Sequence, residues 1–216
     1  MNSFLSNNRF NISLFILGSV YLVGLIGIGA GSREVQSRFL LLTPLNLLLT
    51  LAIVAWNQTA WNIAIVRMCV FVFLAGFFIE VLGVKTGWIF GQYAYGKTLG
   101  LKLLDVPLMI GVNWMLLVYS IGVLLQPLKN NVLSAAAGAG VMTLLDILIE
   151  PVAIRLDFWH WSNEVIPLQN YVAWFIVSFC LFVCFRMFVP LLSNKIAKWV
   201  LLIQFIFFAA LNLLLK

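Results

Sequence analysis

Three carboxylates stand where an apolar chain has most reason to avoid them. Asp146 lies about one helical turn inside the run TLLDILIEP, and Glu150 follows four residues later. Residues at i and i+4 share a helix face, so both side chains point into one place. Glu80 closes another long apolar run, at the head of a glycine- and aromatic-rich stretch. A charge at bilayer depth costs about 2.5–3.5 kcal/mol on insertion scales, so it has a structural or a functional reason. Two carboxyl groups held close resist being ionised together. One that keeps its proton beside an ionised partner is an acid–base pair. Asp146, deepest in its helix, is the expected acid. Glu80, at a mouth that water can reach, is the expected base, and Glu150 supports the site. For a single helix-end acid, a carboxylate reaching water or pairing with Lys85 or Arg155 is an equally good reading; Asp146, a turn inside its apolar run, fits it less well.

The elements that must position these acids follow from composition. The chain of 216 residues is 63% hydrophobic and only 9% charged, where a soluble domain carries about 25% charged residues. It reads as a single integral membrane domain over residues 1–216, an all-α polytopic helix bundle. A hydrocarbon core of about 30 Å needs roughly 20 helical residues. On that measure we expect about seven spans: Ile12–Ala30, Phe39–Trp56, Ile63–Leu82, Val106–Leu125, Val132–Ile149 stopped at Pro151, Tyr171–Val189 stopped at Pro190, and Ile196–Leu215. The net charge of +6 is scattered without a cluster, which argues against nucleic acid and fits loops that face membrane lipids. The one histidine, His160, and the isolated Cys69, Cys180 and Cys184 offer no metal-ligand set. No flavin, nicotinamide or metal signature is visible, and no cofactor is expected.

Between the third and fourth spans lies EVLGVKTGWIFGQYAYGKTLG, Glu80 to Gly100. Its glycines make a spanning helix unfavourable, and its aromatics make a solvated linker unfavourable. It reads as a re-entrant or interfacial segment that partly covers a lipid-open cavity near Glu80. Trp88, Tyr93, Tyr95 and Lys85 within it, Asp105 after it and Asn113 in the next span are the expected substrate-side residues. Asn113 suits the placing of a water. Trp159 and Trp161 flank His160 in the later linker. They suit an interfacial belt or, functionally, an aromatic wall that stabilises a cation.

Together, Glu80–Gly100, LLDVPLMIGVNW, DILIEPVA and DFWHW resemble, in that order, the carotenoid biosynthesis membrane proteins of the CruF type, the carotenoid 1′,2′-hydratases and bisanhydrobacterioruberin hydratases. The resemblance covers about residues 79–170. It implies an acyclic ψ-end carotene, of the γ-carotene or lycopene type, as substrate. The implied reaction is addition of water across the terminal double bond to give a tertiary alcohol. It further implies a bacterial or archaeal cytoplasmic membrane, a substrate taken from the bilayer, and other carotenoid-pathway enzymes as candidate partners. Hydration of an alkene needs a proton donor, a shielded cation and a positioned water, which the acids and aromatics can supply. Two readings of other classes remain beside it. A proton-coupled transporter would use intramembrane carboxylates, although here they gather near one face instead of forming a path across. A non-catalytic carotenoid-binding membrane protein would need only the apolar cavity.

Overall fold

The computed structural model describes residues 2–189 and 192–215. Pro190, expected to stop the sixth span, lies outside the described residues. The helices are α1 (Asn2–Gly29), α2 (Arg33–Leu41), α3 (Thr43–Asn57), α4 (Ile63–Thr86), α5 (Leu108–Leu125), α6 (Asn131–Arg155), α7 (Leu168–Phe188) and α8 (Ala197–Leu214). Six of them, α1 and α4 to α8, are each long and apolar enough to cross a membrane. The pair α2 and α3 is bent by 45°, the geometry of a broken seventh span or of a re-entrant loop. The expected second span is therefore interrupted at Leu42. Pro44 opens α3, a position where its missing N–H costs nothing, but it cannot continue the helix before it.

The helix α5 lies at the centre of the bundle and touches α3, α4, α6, α7 and α8, while α6 lies along α7 and α4 along α5. Trp114, Leu116, Leu117 and Ile121 fill the interior. Large apolar side chains such as Phe15, Leu22, Phe71 and Ile176 cover the outside. Such a surface suits lipid and not water.

Two boundaries near the acids differ from expectation. Pro151 does not stop α6, which runs on to Arg155 with Glu150 still helical. A helical proline forfeits the bond to the carbonyl four residues back, here that of Ile147. The adjacent Leu148 carbonyl accepts a hydrogen bond from Asn212 Nδ2 of α8 at 2.7 Å. The helix α4 runs past Leu82 to Thr86 and ends where Gly87 adopts a left-handed φ of +68° as its cap.

Four short strands occupy the linkers among the described residues. β1 (Tyr93–Tyr95) pairs antiparallel with β4 (Trp159–Trp161), and β2 (Lys102–Leu103) pairs with β3 (Val106–Pro107). Asp105 does not start a helix as expected. With Leu104 it forms the two-residue turn of the second ribbon, both residues at positive φ, as a type I′ turn requires.

Candidate active site

The site is assembled by the first ribbon. Its register sets Tyr93 opposite Trp161, Ala94 opposite His160 and Tyr95 opposite Trp159. Successive strand residues face opposite sides, so Tyr93, Tyr95, Trp159 and Trp161 share the face toward the bundle, while Ala94 and His160 face out. The Tyr93 and Trp161 rings lie 5.1 Å apart between centroids. Gly96 donates its N–H to the Phe158 carbonyl at 2.9 Å, and a Cβ there would overlap Asp157. Asp157 also pairs with His160 at 2.6 Å, outside the site.

Beneath this aromatic roof stand the three acids. Glu80 accepts from the Tyr93 and Tyr95 hydroxyls on Oε2, at 2.5 and 2.7 Å, and from Trp114 Nε1 on Oε1 at 3.1 Å. Burial, and then the adjacent Glu80 carboxylate, pushes both phenols well above their ordinary range, so they remain protonated donors. Glu150 accepts from Trp159 Nε1 and Trp161 Nε1 on Oε2, at 3.0 and 2.9 Å, and from Asn170 Nδ2 on Oε1 at 3.0 Å. Asp146 differs from both. Asn170 Nδ2 donates to its Oδ2 at 2.9 Å, while its buried Oδ1 has no protein partner. All three acids lie within electrostatic reach of one another.

They line a cavity of about 40 Å³, whose wall also includes Trp114 and Trp174, stacked at 4.4 Å, and Asn113. That volume admits a water or a few. Among the described residues no Lys, Arg or His lines it. The acids therefore have no counter-ion of their own, and a positive charge arising in the cavity would supply it. Ile110, Asn113, Ile149 and Trp159 also line a second, apolar cavity of about 350 Å³ between α1, α3, α5, α6 and α8. Its wall includes Val23 and Leu42, each about half exposed.

Of the residues expected from sequence, Glu80, Asp146, Glu150, Asn113, Tyr93, Tyr95, Trp159 and Trp161 come together here. Three do not. Lys85 and Asp105 pair with each other at the surface, with side chains 50% and 71% exposed. The last turn of α4 carries Lys85 outward, and its hydrogen bond holds the Asp105 carboxyl below the usual range. Trp88, 84% exposed just beyond the Gly87 cap, points away from the acids. Trp159 and Trp161 are not a free interfacial belt, since both indoles are committed to Glu150. The sequence reading missed Asn170, Trp114 and Trp174. A lone amide in the first turn of a span was the available signal for Asn170.

A family model described as "Carotenoid biosynthesis protein" matches residues 40–216. The chain belongs to that family. The bisanhydrobacterioruberin hydratase of Haloarcula japonica is 32% identical over 105 residues, 44% of this chain and 36% of the relative. The match thus spans about a third of that protein's length. No solved structure matches the chain. The family and the apolar helices support a multi-pass integral membrane protein of carotenoid biosynthesis.

Proposed function

We propose that the protein is a carotenoid hydratase that adds water across the terminal 1′,2′ double bond of an acyclic ψ-end carotene of the γ-carotene or lycopene type, giving a tertiary alcohol. One observation carries the reading: an apolar cavity shares the wall residues Ile110, Asn113, Ile149 and Trp159 with a water-sized cavity lined by three acids, of which Asp146 alone has an oxygen without a partner. Glu80 and Glu150 each take three hydrogen bonds from donors, which suits acceptor-only carboxylates. The Asp146 carboxyl, with Oδ1 uncommitted, is the group suited to carry a transferable proton.

The polyene lies in the apolar cavity with its end at the smaller cavity. Asp146 gives its proton to C2′, the π pair forms the new C–H bond, and C1′ becomes a tertiary cation. The carboxylates and the Trp and Tyr faces around it stabilise that charge. Water in the cavity attacks C1′ through oxygen and releases a proton to Glu80. Cavity water returns that proton to Asp146. One alkene and one water become one alcohol, and no electrons are exchanged. Asn170 holds Asp146 and Glu150 in register by donating to both.

The test is expression in cells that make lycopene or γ-carotene, with mass analysis of the extracted pigments. The proposal expects pigments heavier by one water, absent when Asp146→Asn is expressed to the same level. Unchanged pigment that copurifies with the wild-type protein would instead identify a carotenoid-binding protein without catalysis.

A further inference from the structure

The net charge of +6, scattered along the sequence, is gathered in space. Arg9, Arg67, Lys129, Arg186, Lys195 and Lys198 stand at the end of the bundle where α1, α4, α6 and α8 begin and α3, α5 and α7 finish. All seven acidic residues lie in the opposite half or in its linkers. Among the described residues, no ion pair forms at the basic end. Arg186 is held there by neutral acceptors, Asn131 Oδ1 and the Gln126 and Leu128 carbonyls. A surface of cations without acids attracts anions.

A groove of about 380 Å³ lies at this end, between α5, α6 and α8. Leu124 and Leu202 line it, each nearly half exposed. Lys198 lines its shallow end, on the first turn of α8, and Lys198 Nζ sits over the Trp199 ring at 5.7 Å from the centroid. Beyond these two the lining is apolar, down to Val141 and Phe205. Phe205 stands eight residues past Ala197, and Val141 ten past Asn131. At 1.5 Å per residue the groove therefore reaches about 12–15 Å from the helix ends. One leaflet has the same depth, about half of a 30 Å hydrocarbon core.

A plain hydrocarbon in this groove would leave Lys198 unpaired. A free inorganic anion would leave the apolar walls bare. An amphiphile with an anionic head on a chain one leaflet deep matches both parts. We propose that the groove is a binding site for an anionic phospholipid, with its phosphate at Lys198 and one acyl chain along Leu124, Val141, Leu202 and Phe205. Trp199 holds its ring at headgroup depth, where tryptophan is favoured. The site stands at the opposite end of the bundle from the ribbon that roofs the three acids, and it does not depend on the reaction there.

The test is a lipid titration. Delipidated protein in a neutral detergent receives dioleoylphosphatidylglycerol or, separately, dioleoylphosphatidylcholine, which share their chains and differ in net charge. Native mass spectrometry counts the bound lipid. The first phosphatidylglycerol should bind at least about fivefold more tightly than phosphatidylcholine, the scale of one basic residue at a membrane surface. Lys198→Ala, at an exposed position, should remove most of that preference and leave phosphatidylcholine binding within about twofold. Leu202→Trp fills the groove and should weaken both lipids. Equal binding of the two lipids by the wild type would overturn the proposal. So would a preference kept in full by Lys198→Ala, which would put the lipid at the other cations, or binding undiminished in Leu202→Trp. Lipid-free dimers that Leu202→Trp dissociates would assign the groove to a second copy of the chain and overturn it as well. Neither substitution touches the acids, so failure here leaves the hydratase reading standing.

Discussion

Replacing Asp146 with Asn separates proton donation from every other role of this side chain. The variant keeps an oxygen that can accept from Asn170 Nδ2, and it sets an NH₂ where Oδ1 now has no partner. Leaving that donor unpaired costs about 1–3 kcal/mol of stability at most. Cavity water would lower the cost. The catalytic loss is of another order. Acid–base assistance contributes typically about 10²–10⁴-fold, equivalent to about 2.7–5.4 kcal/mol in the barrier. The assay is the initial rate of lycopene hydration by purified protein, normalised to the monodisperse, carotenoid-loaded fraction. Asp146→Asn should retain lycopene and lose at least about a hundredfold in rate. A rate near wild type per folded molecule would refute the assignment and pass the acid role to Glu150. A variant that fails to assemble, yet hydrates normally in its folded fraction, would show that Asp146 is structural.

The hydrogen-bond pattern predicts that Glu80→Gln and Glu150→Gln behave differently. A glutamine at 80 can accept from Trp114 and donate to a tyrosine hydroxyl, so it should fold well and lose hydration activity. A glutamine at 150 meets only donors, from Trp159, Trp161 and Asn170, so it should lower thermal stability by about 1–3 kcal/mol, read as an earlier unfolding transition. Trp159→Phe and Trp161→Phe each remove one donor to Glu150 and should each destabilise by about 1–2 kcal/mol, measured the same way. Trp88→Ala and a neutralised Lys85–Asp105 pair touch none of the acids and should leave the rate within about twofold, since exposed ion pairs contribute little. Because the scheme moves protons only between Asp146, Glu80 and water, prolonged treatment with chelator should leave the rate unchanged; loss restored by a metal ion would contradict the scheme.

Most of the site was legible one residue at a time. Asp146 and Glu150 declared themselves by their i, i+4 spacing inside an apolar run, and Glu80 by closing another. What joins them was harder to see. The ribbon pairs Tyr93–Tyr95 with Trp159–Trp161 across more than sixty residues. Both triplets, YAY and WHW, show the period of two that marks a strand, yet each is too short to stand out beside long helices. Without that pairing, the aromatic residues looked like an interfacial belt and the acids had no donors. Lys85 and Asp105 were misplaced for a related reason. The helix α4 continues a turn beyond Leu82, and the Leu104–Asp105 turn depends on positive φ at residues other than glycine. Asn170 was missed because nothing in the sequence links a single amide to carboxylates on another helix. The break at Pro44 and the continuation through Pro151 show one residue type with two outcomes. Asn212, on a different helix, donates to the Leu148 carbonyl beside the break in the α6 bonding.

The central claim is that water from the cavity ends on C1′ and a proton ends on C2′ of a carotene end. Purified protein should be given lycopene in deuterated water enriched in heavy oxygen, and the product analysed by fragment mass. The account predicts a tertiary alcohol that carries one heavy oxygen and one deuterium on adjacent terminal carbons, formed without added oxidant or reductant. A product whose oxygen is unlabelled, or recovery of lycopene alone from protein that binds it, would contradict the claim.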